Sequence, residues 1–599
     1  MMKNIKPLEF RKKGNQSPLS LWERVRVRAL RRLPHLTRIT RPDPHPLPLS
    51  QRERGVTCNL KFEICNLQFP SRQGFVLVLV LIVVALLTLV CFTFSELMFT
   101  ERKAAVISGR QAQALAAAES GLQKARIFLY KSKDTQNQDG GWYDNASFFQ
   151  GVQVVNDASP SVHLRVTLIA PVFENGLPGG GIRYGLENES AKLNINNILS
   201  LTKSSTGNSI SNNPSSTPST TSTTSSSPAR DILMNLPGMT QDIADYILEW
   251  IDTDDQTRES GAESDYYANL QPPYKPKNGP LTTIDELLLV RGVTPLLLFG
   301  GDLNRNGRVD TDENSNVTIP NADNSDGSMN LGWAPYLTLY SKETNTTASD
   351  GSTKIDLNGS DLQTLSTDLQ KVLSAEQAAF ICAYRIYGPH TLTPVEKTSG
   401  SSIPASALDL TKTGTGNKFN SVFDLIEPTT VQVTVGTTKT IYASPFTKTA
   451  GDMKTYLPIL MDSTSVKSSY VGRININLAP KAVLMCIPGM TSDIVEEIIA
   501  RRTMDNSKIS DKSMNYATWL LTEEIVTLKQ MQALEKYVTC GGDVYRVQAI
   551  GYFDDGGVAA RIEVVLDAST QPATVLFWRD ISHLGRGFTL DELGTASSQ

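Results

Sequence analysis

The chain has 599 residues, room for roughly three or four domains, and its composition (40% hydrophobic, 20% charged) is that of a globular protein rather than a fibrous or disordered one. The net charge of −4 hides an asymmetry: residues 1–73 carry 16 Lys and Arg against 5 Asp and Glu, and the remainder carries 41 against 56. An acidic main body argues against nucleic acid as its chief partner, and six cysteines without a CxxC pair, beside five scattered histidines, argue against a zinc site.

Residues 1–74 do not read as a domain. "PLSLWERVRVRALRR" is followed by "PHPLPLSQRERG". Suitable codons for Leu49–Glu53, reverse-complemented and read one base out of frame, spell the Leu-Ser-Leu-Trp-Glu that stands at Leu19–Glu23. The stretch is therefore read as a leader, in part the translation of an inverted DNA repeat upstream of the true start, and is set aside from fold reasoning.

A run of twenty uncharged residues, Phe75–Phe94, follows Arg72-Gln73-Gly74. It is long enough to cross a bilayer as one helix. Cleavage between Gly74 and Phe75 would keep this helix, unlike a secretory signal cut beyond its apolar core. Helical spacing continues through Ala112, Leu115, Ala118, Leu122 and Ala125, so one helix is expected over 75–131, roughly 85 Å long. A basic leader, a Gly–Phe junction and a long alanine-rich helix resemble a type IV pilin-like subunit. Most such subunits carry Glu at the fifth mature position, where Leu79 stands here. By resemblance, that glutamate pairs with the terminal amine of the next subunit toward the tip. A subunit with nothing ahead of it would hold an unpaired carboxylate in hydrocarbon, so Leu79 suggests a tip position.

Two later stretches match each other. "KLNIN" (192–196) precedes "ILMNLPGMTQDIADYILEWI" (232–251), and "RININ" (473–477) precedes "VLMCIPGMTSDIVEEIIARR" (483–502). Each reads as a short strand, a helix start, a Pro-Gly turn and an amphipathic helix, with Thr240 and Thr491 as N-caps and Asp242 and Asp493 in the first turns. The first copy is interrupted by a Ser/Thr tract over 202–229, too polar to bury a core and expected to be a flexible insertion in a loop. The helix-Pro-Gly-helix unit resembles a helix-hairpin-helix, which raises an alternative: a membrane-anchored DNA receptor of a competence-type pilus. Both turns read Gly-Met-Thr rather than Gly-x-Gly, and "EWIDTDD" after the first copy would repel phosphate.

The segment from Trp250 onward is more specific: "WIDTDD", "GAESDYY", "PPY", "KNGPL" and "ELLLVRGV", with "INLAPKAVLMCIPGM" and "WRDISHLG" further on. These resemble the K-type minor pseudopilin of the type II secretion system over most of residues 71–585. The resemblance implies an α+β fold: a long N-terminal transmembrane pilin-like helix packed on a small antiparallel sheet, with a large inserted α-helical domain of helix-hairpin-helix or SAM-like type. The expected divisions are 75–131 for the helix, 132–200 for the first strands and the start of the first repeat, 230–470 for the helical insert, 471–540 for the second repeat, 541–585 for the closing strands and 586–599 for a tail. The resemblance also implies prepilin peptidase as processing enzyme, N-methylation at Phe75, and partnership with the I- and J-type minor pseudopilins and the major pseudopilin. It places the protein in the inner membrane as a single-pass protein with its C-terminal bulk in the periplasm.

"DLNRNGRVDTDE" (302–313) has the spacing of a twelve-residue calcium loop. Asp302, Asn304 and Asn306 stand at positions 1, 3 and 5, and Gly307 allows the turn at position 6. Arg308 would offer its carbonyl, Asp310 stands at position 9, and Glu313 would be bidentate at position 12. Hard oxygen ligands favour calcium in a structural role. A second acidic cluster, Asp252, Asp254, Asp255, Glu263 and Asp265, is a further candidate, and by resemblance family members carry calcium in their helical domain. No HExxH, GxSxG or phosphate-binding glycine loop is present, so the protein is expected not to be an enzyme. The expected role is tip initiation of the pseudopilus and export across the outer membrane, with no nucleic acid bound.

Overall fold

The computed structural model describes residues 75–156, 163–174, 177–203, 227–258, 260–313, 324–411 and 416–595. The leader with Gly74, and most of the Ser/Thr tract, lie outside them. The fold mixes helices with an antiparallel sheet, in two units, Met1–Phe94 and Ser95–Gln599.

Helix α1 spans Phe75–Leu129, with no proline and only two glycines to weaken it. In the first unit its side chains from Val76 to Phe94 are exposed, and the helix is long and apolar enough to cross a membrane. The Thr88 and Thr93 hydroxyls donate to the Ala85 and Val90 carbonyls at 2.9 and 3.0 Å, so neither would stand unpaired in hydrocarbon. In the second unit the same helix turns amphipathic. Ala114, Ala117, Ala118, Leu122, Ala125, Phe128 and Leu129 recur three or four residues apart and are buried. The alanines keep that face flat enough for the backbone to lie close on a sheet.

The sheet has seven strands: β1 (Val152–Val155), β2 (Leu164–Glu174), β3 (Leu177–Tyr184), β4 (Glu187–Asn188), β5 (Val544–Phe553), β6 (Ala559–Asp567) and β7 (Thr574–Asp580). The order is β1-β2-β5-β6-β7, with β3 also pairing β2 and β4 also pairing β5, all antiparallel. Strand β5 is central and long, pairing Gln548 with Ile169 on β2 and Val547 with Val564 on β6. Leu122, Ala125 and Phe128 of the helix pack against Val166, Leu168, Val547 and Val564. The closest approach is at Gly551, where a Cβ would overlap the Ala114 carbonyl and sit 2.9 Å from the Ala118 nitrogen.

Residues between β4 and β5 build a second, larger core, with Leu236, Ile247, Trp333, Phe380, Leu457 and Trp519 buried in it. An expectation of helices alone over 230–470 is too simple. "TVQVTV" (Thr430–Val435) and "TKTIYA" (Thr438–Ala443) alternate with period two around Gly436-Thr437 and form an antiparallel hairpin. Both sequence repeats begin the same way: Leu193–Asn194 pairs in parallel with Leu337–Thr338, and Ile474–Asn475 with Val538–Thr539.

A row of charges ties this second core to the sheet. Arg546 on β5 reaches Glu189 at 2.7 Å and Glu563 on β6 at 2.5 Å. Arg579 on β7 reaches Glu563 at 2.6 Å and Asp285 at 2.7 Å, and Arg305 also holds Asp285 at 2.7 Å. Burial alone would raise the Glu563 carboxyl, but the Arg546 and Arg579 charges outweigh it and hold it down at about 2. Glu189 is lowered in the same way by Arg546 and Lys192. A carboxyl with a depressed folded-state pKa contributes stability that is complete above its ordinary value near 4.5 and fades as pH falls toward 2. Equilibrium denaturation between pH 6 and 2.5 should therefore show loss of stability concentrated below about pH 4.5, and a Glu563→Gln variant should lose part of that pH dependence.

Candidate metal centres

The first repeat places one centre. Helix α2 (Pro228–Leu233) leads through the Pro237-Gly238 turn into α3 (Gln241–Ile251). The Thr240 hydroxyl accepts from the Ile243 N–H at 3.3 Å, capping α3 as its sequence suggests. Glu249 lies on the buried side of the last turn, fully enclosed. Asp252 follows the helix end, and Glu263 immediately precedes α4 (Ser264–Ala268). One carboxylate oxygen from each of Glu249, Asp252 and Glu263 lies within 4.8 Å of the others.

These acids outnumber their partners. Arg258 gives its backbone N–H to Glu249 Oε1 at 2.6 Å, and its guanidinium reaches Asp252 Oδ2 at 2.7 Å and Glu249 Oε1 at 3.1 Å. Glu249 Oε2, Asp252 Oδ1 and both oxygens of Glu263 are buried without a hydrogen-bond partner. Burial pushes the Glu263 carboxyl up to about 8, with the adjoining Glu249 adding to the shift. The neighbouring carboxylates Glu249 and Asp252 thus add to the cost of ionising Glu263. Open hard oxygens on a partly enclosed wall suit a divalent cation of the calcium type. Gly261 makes room for the loop, since a Cβ there would stand 2.6 Å from Glu249 Oε1.

Of the five acids expected here, Asp252 and Glu263 join this group and Asp254, Asp255 and Asp265 do not. Asp254 accepts from the Gln256 N–H, and Asp255 from Ser264 and Asn278. Asp265 lies in the first turn of α4. Glu249 is the candidate ligand that sequence reasoning passed over. Its signal was present: a glutamate on the apolar face of an amphipathic helix needs a partner for its charge.

The loop at 302–313 is arranged differently. Gly307 takes a left-handed conformation (φ 85°) at the turn. Asp302 is buried and accepts from the Asn306 and Gly307 N–H groups at 3.0 and 2.9 Å. Glu313 accepts from the N–H groups of Leu303, Asn304 and Asp310. Asp310 accepts from the Asn304 and Asn306 amides and the Arg308 guanidinium. Only Asn304 Oδ1 is buried without a partner. The six residues are thus gathered around one turn, with their carboxylates engaged inside it. The loop is also docked. Asn306 donates to the Gly587 carbonyl at 2.7 Å, Gln548 on β5 donates to the Arg305 carbonyl at 2.8 Å, and Arg308 pairs with Glu592.

In the second repeat, α5 (Lys481–Met485) and α6 (Ser492–Arg501) repeat the motif, and Thr491 caps α6 through the Ile494 N–H at 3.4 Å. Its two arginines are engaged internally. Arg501 pairs with Glu497 and Glu523, and Arg502 donates to the Ala479 carbonyl. That leaves little positive charge for a DNA backbone.

Residues 191–298, the stretch that holds the Glu249 group, match the family model described as type II secretion system (T2SS), protein K. Over this stretch the chain is similar to protein K of the type II secretion system. No curated protein matches it. Among solved structures, a chain of the GspK-GspI-GspJ complex from the enterotoxigenic Escherichia coli type 2 secretion system is similar at 11% identity. The alignment covers 79% of this chain and 97% of that one, with a TM-score of 0.32, too slight a likeness to carry a structural argument. The matched stretch begins at Ala191, shortly after β4, and ends at Leu298, just before the loop at 302–313.

Proposed function

We propose that the protein is a minor pseudopilin at the tip of the type II secretion pseudopilus, acting in filament initiation and protein export across the outer membrane without catalysing a reaction. The observation that carries this reading is the protein K match at 191–298, in a chain whose N-terminal helix is long and apolar enough to cross a membrane and then packs on an antiparallel sheet. Leu79 at the fifth position of the helix supports a place with no subunit ahead of it. The partners in this reading are the I- and J-type minor pseudopilins and the major pseudopilin, with the bulk of the chain in the periplasm. The inserted helical domain is the part that the matched stretch opens.

The test is mass spectrometry of the protein taken from native membranes. Cleavage by prepilin peptidase predicts a mature N-terminus at Phe75, N-methylated, which disappears when the peptidase is deleted. An uncut or differently cut chain would remove the reading. Filter binding to duplex DNA at 50 and 200 mM salt checks the receptor alternative, which requires affinity that falls steeply with salt.

Calcium has a structural place in this reading, at Glu249, Asp252 and Glu263, and at the loop of Asp302, Asn304, Asn306, Arg308, Asp310 and Glu313. Bound at the first of these, the ion would supply positive charge to three carboxylates that otherwise repel one another. Calcium at a hundredfold excess over its dissociation constant should stabilise the fold by about 2.7 kcal/mol, lost on chelation. Glu249→Gln should do the opposite to the two states. It relieves repulsion in calcium-free protein, raising its unfolding temperature, and it weakens the calcium response. A variant that responds to calcium like the wild type would exclude this centre.

A further inference from the structure

A cavity of about 620 Å³ lies within the second unit and shares no residue with either candidate metal centre. That volume falls in the roughly 300–1,000 Å³ span of small-ligand pockets. Its walls come from the short helix Lys133–Gln138, the stretch 343–354, the end of the helix Ala450–Ser463, and the turns Asn506–Lys508 and Lys512–Asn515. The first and last of these are far apart in the chain but meet here: a Cβ on Gly141 would stand 3.0 Å from the Ser507 Cβ.

The ionisable side chains on these walls balance. Lys133, Lys354, Arg473 and Lys512 are basic. Asp134, Glu343, Asp462 and Glu535 are acidic. Arg473 is already held over the Tyr470 ring with Glu343 at 3.7 Å, and Lys354 already donates to Asn345 Oδ1 and the Met461 carbonyl. Equal numbers of each sign give the cavity no preference for an anion or a cation.

What the walls offer instead is neutral polar groups within reach. The side-chain amides of Asn137, Gln138, Asn506 and Asn515 line the cavity, none of these residues is buried, and none of the amides has a hydrogen-bond partner among the described residues. The half-buried Asp134 carboxylate is free in the same sense. Each amide carries donors and an acceptor on one short arm. That set matches a ligand whose groups both give and accept hydrogen bonds, as the hydroxyls and acetamido groups of a sugar do. The Tyr516 ring is half-buried on the same wall, with no aromatic or cationic group stacked on it among the described residues. It leaves an apolar surface for the C–H face of a sugar ring.

We propose that this cavity binds a neutral saccharide. Its hydroxyl groups pair with the amides of Asn137, Gln138, Asn506 and Asn515 and with the Asp134 carboxylate, and its ring lies on Tyr516. The site is independent of metal binding and of the pseudopilin reading, so either can fail without the other.

The experiment uses the full-length protein in lauryldimethylamine oxide, because a glycoside detergent would compete for the site. N,N′-diacetylchitobiose and maltose are titrated into it by calorimetry at about 50 and 200 mM sodium chloride, a range over which binding through ionic contacts weakens steeply. The expected result is binding of at least one sugar, with an affinity that changes less than about twofold between the two salt concentrations. Binding of diacetylchitobiose alone shows that an acetamido group is read, and binding of maltose shows that hydroxyls suffice. Asn137→Leu and Asn515→Leu replace unpartnered side chains that are not buried, so both variants should unfold at the wild-type temperature. Each should weaken sugar binding at least fivefold. Binding of neither sugar, a steep fall with salt, or undiminished affinity in both variants overturns the proposal.

Discussion

Gly551→Val should unfold the helix-on-sheet domain or cost it about 3 kcal/mol or more, at the upper end of the overpacking range. The reason is the position of the glycine. Strand β5 is fixed by β2 on one side and β6 on the other, so it cannot retreat. The new Cβ would collide with the Ala114 carbonyl, which is helix backbone and not the end of a flexible side chain. Helix α1 would have to lift, opening the contacts of Ala118, Leu122 and Ala125 with Val166, Leu168 and Val547. Gly551→Ala should show most of the effect, since the first added carbon makes the clash. Gly109→Ala is the control. A Cβ there meets nothing within 4 Å, so the change should be neutral or stabilising by up to about 1 kcal/mol through helix propensity. Denaturant melts of the three variants check the argument, and wild-type stability in Gly551→Ala would refute it.

Arg546→Met should cost about 3–5 kcal/mol, the range for breaking a buried ion pair by removing one partner. Two carboxylates depend on this guanidinium. Glu189 is fully buried and receives bonds from Arg546 at 2.7 and 3.2 Å, and Glu563 receives one at 2.5 Å. Glu563 keeps Arg579, but Glu189 keeps only Lys192 at 3.6 Å and the Thr338 hydroxyl. The double variant Arg546→Met, Glu189→Met should recover part of the loss, because it removes the stranded charge. If the double variant is as unstable as the sum of the two single ones, the pair is not coupled as described. Since these residues join the second core to the sheet, the loss should appear as separation of the two cores: exchange protection should fall around 189–194 and 544–548 before it falls in the helix.

The features legible in the sequence are those governed by local pattern. Twenty uncharged residues and the alanine spacing give α1 to within two residues of its end. The Pro-Gly-Met-Thr repeats give both helical hairpins with their threonine caps. What escaped depends on contacts distant in the chain. Glu249 meets Glu263 only because the chain folds back beyond α3, and Arg546 meets Glu189 across more than three hundred residues. Nothing around Gly551 marks it as the place where a helix touches. The hairpin at 430–443 was legible by its alternation and was passed over, since a resemblance that implied helices covered it.

The pairing of β2 with β5 also sets the order of events during synthesis. A chain emerging from its N-terminus places α1 and β2 early, yet the strand that pairs with Ile169 is centred on Gln548. Until almost the whole polypeptide has arrived, β2 carries an open edge and the alanine face of α1 has no central strand to cover it. Native contacts of this range form slowly and leave apolar surface exposed meanwhile. A chain cut short anywhere before β5 would keep its apolar N-terminal helix and lack its globular fold. The strands from β5 onward therefore act as a completion signal: only a chain that has reached them can close the sheet.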